Sequence, residues 1–296
     1  MTSNKSLAIA TRLHLGHASN PPPTSQLVET LSSFAHLAST VKADHAVIAV
    51  DAQDKIEGYS LVNEVRKICT NMSLLQNNNG TTTAILHVLP ITPWGKFVPA
   101  LNAIVSWSAR QHAQYLLLVS AEVKMTSDAM EALTNKMDVM STLVVGAVLQ
   151  GHQHHYNTAE EDNDDGSSSR GGEDGTQVEL TGRTTPWNTL ALWNLPKLAL
   201  TGFLQVSEGL HNDEDGRDGV ANAGVEEVCT IATLQKILPT NTAQAKLLLI
   251  DGVQWGQDFG DDEGRKEWHE KKMMSKVTRA KRQLELMGLE GTVLHC

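Results

Sequence analysis

Through its first 150 residues the chain alternates short apolar runs with stretches in which apolar side chains recur every three or four positions. Leu7–Leu13 predicts a strand, and Pro23-Thr24 opens a helix to about Ser39. Ala46–Val50 predicts a short buried strand that ends in Asp51. Leu61, Val65, Ile68 and Met72 follow one another at spacings of four, three and four, marking one face of a helix from about Gly58 to Leu75. Asn77–Gly80 is a turn cluster, Thr82–Leu89 a strand, and Phe97 to His112 a helix. Tyr115–Val119 is almost wholly apolar, as expected of a strand covered on both faces. A helix over Ser127–Met137 and a strand over Thr142–Leu149 close the series.

Repeated strand–helix units require a mostly parallel sheet with helices on both faces, so the fold class expected is α/β and Rossmann-like. Ligands of such sheets sit beyond the carboxyl ends of the strands. Asp51, Pro90–Lys96 and Ser120–Glu122 all fall at those ends.

The pattern breaks over residues 151–182. Glu160, Glu161, Asp162, Asp164 and Asp165 lead into Ser167-Ser-Ser-Arg-Gly-Gly with no apolar period, which predicts a solvated, disordered acidic insertion. Asn212–Gly219 reads as a second one. Between them Trp187–Leu200 is apolar and expected to be partly helical. Gly224–Leu238 predicts a helix, Ala245–Ile250 a strand, and Glu263 to about Met287 a long amphipathic helix. The chain thus divides into residues 5–150, 151–182, 183–262 and 263–296.

Composition narrows the function classes. With 296 residues, 41% hydrophobic and 20% charged, the chain is an ordinary globular one with a sizeable core. A formal charge of −10 argues against nucleic acid as a partner. Three widely spaced cysteines, Cys69, Cys229 and Cys296, form no metal or disulfide framework. No apolar run reaches the roughly 18 residues of a membrane span, and the start lacks a secretory core, so the expected location is cytoplasmic. Two sequon matches, at Asn71 and Asn79, read as chance.

Gly95-Lys96-Phe97-Val98-Pro99-Ala100-Leu101-Asn102 places a lysine at a helix start, beside backbone N–H groups that favour anions. A short helix later, the buried Tyr115–Val119 run exits through Ser120-Ala121-Glu122. That order resembles the nucleotide-sugar-binding half of an A-type glycosyltransferase, close to the family 2 enzymes. The resemblance covers about residues 5–150, and more weakly 183–270. It implies transfer of a sugar from a nucleoside-diphosphate sugar to an acceptor hydroxyl, with Mn²⁺ or Mg²⁺ as a cofactor.

The resemblance implies roles residue by residue. Asp51, Asp54 and Thr11 would meet the nucleotide, although Ala52 stands where the family has a second acid. Lys96 would meet the diphosphate, and Asn102 would brace the neighbouring strand ends. Glu122 stands where the family carries an Asp-x-Asp metal motif, so it would touch the sugar or a metal, with His269 or Asp128 as a second ligand. Gly224-Val-Glu226-Glu227 matches the element that supplies the base: Glu227 would take the acceptor proton, with Glu226 beside it. Trp187 and Asn188 would contact the acceptor.

Each residue also has a plainer reading. Asp51 caps a turn, Lys96 is a solvated surface charge, Glu226 and Glu227 favour a helix dipole, and Trp187 and Trp193 belong to the core. Residues 265–282 hold eight of the 24 Lys and Arg beside an apolar stripe; their charges are solvated, or meet phosphates or an anionic membrane surface. His152, His154 and His155 form a tract that binds metals promiscuously without being built for it. Two other functions stay open: a non-catalytic scaffold that keeps the fold, and a nucleotidyltransferase.

Overall fold

Successive strand residues point to opposite sides of one sheet, and the alternation decides which core each joins. The computed structural model describes residues 6–15, 20–53, 56–79, 85–95, 97–155, 175–209, 225–255 and 263–296. Ile9, Ile48, Leu117 and Leu192 enter one core, while their neighbours Ala8, Val47, Leu116 and Ala191 enter the other.

The first four large strands are β1 (Leu7–Leu13), β2 (His45–Asp51), β3 (Leu86–Ile91) and β4 (Tyr115–Val119). They run parallel, joined by α1 (Thr24–Thr40), α2 (Leu61–Asn79) and α3 (Val98–Arg110). There follow β5 (Val123–Met125), α4 (Ser127–Asn135), β6 (Thr142–Ala147), β7 (Thr176–Glu179), β8 (Leu190–Asn194) and the single turn α5 (Leu195–Leu198). A 3-10 turn at Gln205–Glu208 leads to α6 (Glu226–Ile237), β9 (Gln244–Leu248), β10 (Val253–Trp255), α7 (Glu263–Met287) and β11 (Thr292–His295).

Among the described residues nine strands form one sheet in the order β3-β2-β1-β4-β8-β6-β9-β11-β7. Only β8 and β7 run against the rest. This is the mostly parallel, Rossmann-like α/β arrangement that the alternation predicts. β5 and β10 make a separate two-stranded ribbon.

Helices cover both faces. Leu27, Leu31 and Phe34 of α1 and Leu133 of α4 fill the first core; Leu101 and Ile104 of α3 and Val228 and Ile231 of α6 fill the second. α7 serves both: Met273 belongs to the first core, Ala280 and Leu284 to the second. The stretch holding Lys276 and Arg279 therefore crosses from one face of the sheet to the other. Among the described residues no helix is long and apolar enough to cross a membrane.

The structure departs from the sequence expectation at several elements. In the segment expected to be partly helical, Leu195–Leu198 is the helical turn α5, but Leu190–Asn194 before it is a central strand with every side chain buried. A fully covered strand leaves no polar period to distinguish it from a buried helix. Thr176–Glu179, inside the segment expected as a disordered insertion, is β7 and pairs with β11. The turn expected at Asn77–Gly80 is instead helix through Asn79, because α2 runs on past Leu75. Gly80, the expected strand start at 82–84, the acidic run at 160–165 and the insertion at 212–219 lie outside the described residues.

Candidate active site

A cavity of about 1180 Å³ opens at the carboxyl ends of β1 and β4. Its wall includes Thr11 and Arg12 of β1, Glu122 from the turn after β4, and Asn188 just before β8. Glu226 and Glu227 from the first turn of α6 and Lys276 and Arg279 of α7 complete the chemistry. β8 runs antiparallel, so its start lies beside the end of β4; Ser120 N–H donates to Thr189 O at 2.9 Å across that junction. This topology brings residues more than a hundred positions apart to one rim.

Glu227 is a strongly perturbed group of the wall. Its side chain is buried, and Oε1 accepts the Asn188 backbone N–H at 2.6 Å. Burial first, and the Glu226 charge second, push its carboxyl up to about 7; Lys276 and the Asn188 N–H oppose them. Asn188 is fixed in turn, its Oδ1 accepting Trp193 Nε1 at 3.0 Å. The Asn188 Nδ2 and the Thr11 hydroxyl are buried and have no hydrogen-bond partner among the described residues. Both residues line the cavity, and buried polar atoms normally find a partner.

Trp187 is not a stacking platform. It is 1% exposed, its Nε1 donates to Gly182 O at 2.8 Å, and its ring meets both His152 and Lys276. The His152 ring is stacked at 3.7 Å, and Lys276 Nζ lies 3.6 Å from the indole centroid. The plainer reading of a core tryptophan holds for this residue, and Asn188 alone of the expected acceptor pair lines the cavity.

The helix start at Gly95–Val98 also differs from expectation. Glu208, from the 3-10 turn, accepts Phe97 N–H at 2.7 Å and Val98 N–H at 2.6 Å through Oε1. The seat that those N–H groups offer to a diphosphate is filled by a carboxylate of the chain itself. Gly95 has φ 65°, and an added Cβ would lie 3.0 Å from Glu208 Oε2, so a side chain there would meet the cap. Lys96 lies outside the described residues. Asn102 braces no strand end: Oδ1 accepts Phe203 N–H at 2.7 Å and Nδ2 donates to Phe203 O at 2.9 Å, in the loop after α5. Those bonds use its amide away from the cavity.

Asp51 is buried, and its Oδ1 accepts Gln53 N–H at 3.0 Å, the geometry of a turn cap. It is not part of the cavity wall. Asp54 and the side chain of His269 lie outside the described residues. Glu122 is exposed in the wall, whereas Asp128 sits in the first turn of α4 and does not line the cavity. Among the described residues no three His, Cys, Asp or Glu side chains stand close enough to share a cation. Among the described residues the wall's carboxylates, Glu29, Glu122, Glu226 and Glu227, form no triad that fits Mn²⁺ or Mg²⁺, and Arg12, Lys124, Lys276 and Arg279 line the same cavity.

The histidine tract is structural at His152. Its Nδ1 accepts Leu149 N–H at 2.8 Å, leaving Nε2–H to donate to Thr185 O at 3.0 Å. Burial, reinforced by Lys276, pushes its pKa down to about 3, so it stays neutral. Glu208 caps the start of α3 and Arg12, Lys276 and Arg279 line the cavity, placements that sequence reasoning did not assign. The clustered basic residues of 265–282 were the one available signal, since phosphate contact was among their readings.

No family model and no curated protein sequence matches the chain. Similar solved structures include S. aureus TarS in complex with UDP, at 11% identity and TM-score 0.43, covering 84% of this chain and 59% of that one. They also include M. tuberculosis glucosyl-3-phosphoglycerate synthase, at 11% identity and TM-score 0.39, covering 88% of this chain and 75% of that one. Against a longer TarS structure this chain spans 36% of the length. Likeness at this level assigns no residue a role.

Proposed function

We propose that the chain is a glycosyltransferase that moves a sugar from a nucleoside-diphosphate sugar to an acceptor hydroxyl, with Glu227 as the base. The observation that carries this reading is the buried Glu227 carboxyl, held by Asn188 in a cavity where the Thr11 hydroxyl and Asn188 Nδ2 have no partner among the described residues. A carboxyl poised near neutral pH suits proton removal from a sugar hydroxyl at physiological pH.

In the step proposed, the acceptor oxygen bonds to the anomeric carbon as that carbon's bond to the diphosphate oxygen breaks. The bonding pair leaves with the nucleoside diphosphate, and the acceptor proton passes to Glu227. Thr11 Oγ1 and Asn188 Nδ2 each supply a hydrogen bond to the donor, and Glu122 contacts its sugar from the rim. The cavity is large enough for a nucleotide sugar, since typical small-molecule sites run to roughly 300–1,000 Å³.

The test is release of UDP or GDP from their sugars, measured against a panel of hydroxyl acceptors. Glu227→Gln should cut turnover by roughly 10²–10⁴-fold while donor binding persists. The non-catalytic alternative draws support from Asp51 and the α3 start, both committed within the chain. Donor binding with no turnover on any acceptor would favour it.

A further inference from the structure

The donor proposed above carries a diphosphate whose charge must be neutralised as it departs. We propose that side-chain cations from three elements do this without a divalent metal: Arg12 of β1, Lys124 of β5, and Lys276 with Arg279 of α7. The inference rests on the reading of the cavity as a donor site.

All four side chains line the one cavity, and their elements converge there from distant parts of the chain. The crossing of α7 from one core to the other carries Lys276 and Arg279 past the strand ends, anchored by Met273 before them and Ala280 after. Lys276 is held over the Trp187 indole, a contact that steadies an ammonium ion away from bulk water. Arg12 and Arg279 add planar guanidinium groups, whose fork geometry matches phosphate oxygens.

The carboxylates that share the wall are Glu29, Glu122, Glu226 and Glu227. They do not make a cation cage: Glu227 is buried against the Asn188 N–H, and both Glu226 and Glu227 act on Arg279. Glu227 also sits close enough to Lys276 to feel its charge. An arriving diphosphate gains the cations.

The experiment is calorimetric titration of the full chain with UDP, in EDTA and again with Mn²⁺, and with inorganic pyrophosphate in EDTA. Variants are Arg12→Gln, Lys124→Gln and Arg279→Gln, each checked for folding by circular dichroism. The two exposed or half-buried positions, Arg12 and Lys124, keep the test valid if Arg279→Gln folds poorly. UDP should bind as well in EDTA as with Mn²⁺, pyrophosphate should bind in EDTA, and each charge removal should weaken both about tenfold, the usual scale of a charge-assisted contact. UDP binding only with Mn²⁺ would overturn the inference and leave the transferase reading standing. Pyrophosphate binding in EDTA without any nucleotide binding would uphold the anion seat and overturn the transferase reading. Binding of neither ligand to folded protein would overturn the inference.

Discussion

Replacing Glu227 by Gln should stabilise the protein at high pH while it abolishes the chemistry. The ordinary glutamate value is 4.5, and in the fold burial and the Glu226 charge raise it to about 7. Between those values the folded chain holds a proton that the unfolded chain has lost. Stability on this account is complete below about pH 4.5, falls as pH rises, and has lost its full share above about pH 7. At about 1.36 kcal/mol per pH unit the loss comes to roughly 3 kcal/mol. Gln cannot ionise, and its amide oxygen can still accept the Asn188 N–H that Glu227 Oε1 accepts at 2.6 Å. Urea denaturation of the two proteins should agree within about 1 kcal/mol near pH 5, the scale of an ordinary hydrogen-bond exchange. Near pH 8.5 the variant should be the more stable by about 3 kcal/mol, or roughly 5 °C in Tm for a chain of this size. A stability difference that does not change with pH, or a wild-type protein more stable near pH 8.5, would refute the buried-carboxyl argument.

The same carboxyl should shape the reaction: kcat/KM is expected to rise with pH and level off above about 7, and a flat profile across that range would remove Glu227 as base. Glu208→Ala leaves the first N–H groups of α3 without their acceptor and should cost about 2–4 kcal/mol in urea denaturation; a change below about 0.5 kcal/mol would show that water replaces the cap. His152 has its pKa pushed down to about 3, so its contribution to stability is present above pH 6.5 and fades as pH falls toward 3. With the ring partly exposed, the loss is about 3 kcal/mol, and His152→Phe should flatten that part of the acid-unfolding curve. An unchanged acid midpoint in His152→Phe would count against it.

How far the sequence revealed this protein depended on the physical range of each signal. The parallel half was legible because β1, β2 and β4 are apolar runs set between helices with clear periods. β8 was not, since Leu190–Asn194 is buried on every side and carries no alternation. β11 escaped because Thr292–His295 is four residues long and finds its partners, β9 and β7, far away in sequence. At the site, Thr11, Glu122, Asn188, Glu226 and Glu227 reach one cavity, and each lies at a strand end or helix start that local pattern marks. Asp51 and Trp187 carried the right residue types, but burial turned them inward to Gln53 and Gly182. The Glu208 cap joins positions 110 and 111 residues apart, a pairing that no local spacing encodes. Lys276 and Arg279 were visible as charge but not as direction, because only the path of α7 between two cores aims them.

The most direct measurement is a crystal structure of the protein with UDP or GDP bound. The account predicts the nucleotide in the cavity at the ends of β1 and β4, hydrogen-bonded to Thr11 Oγ1 or Asn188 Nδ2, with its diphosphate against Arg12 and Arg279. A nucleotide seated elsewhere, or a cavity that stays empty at saturating concentration, would contradict it.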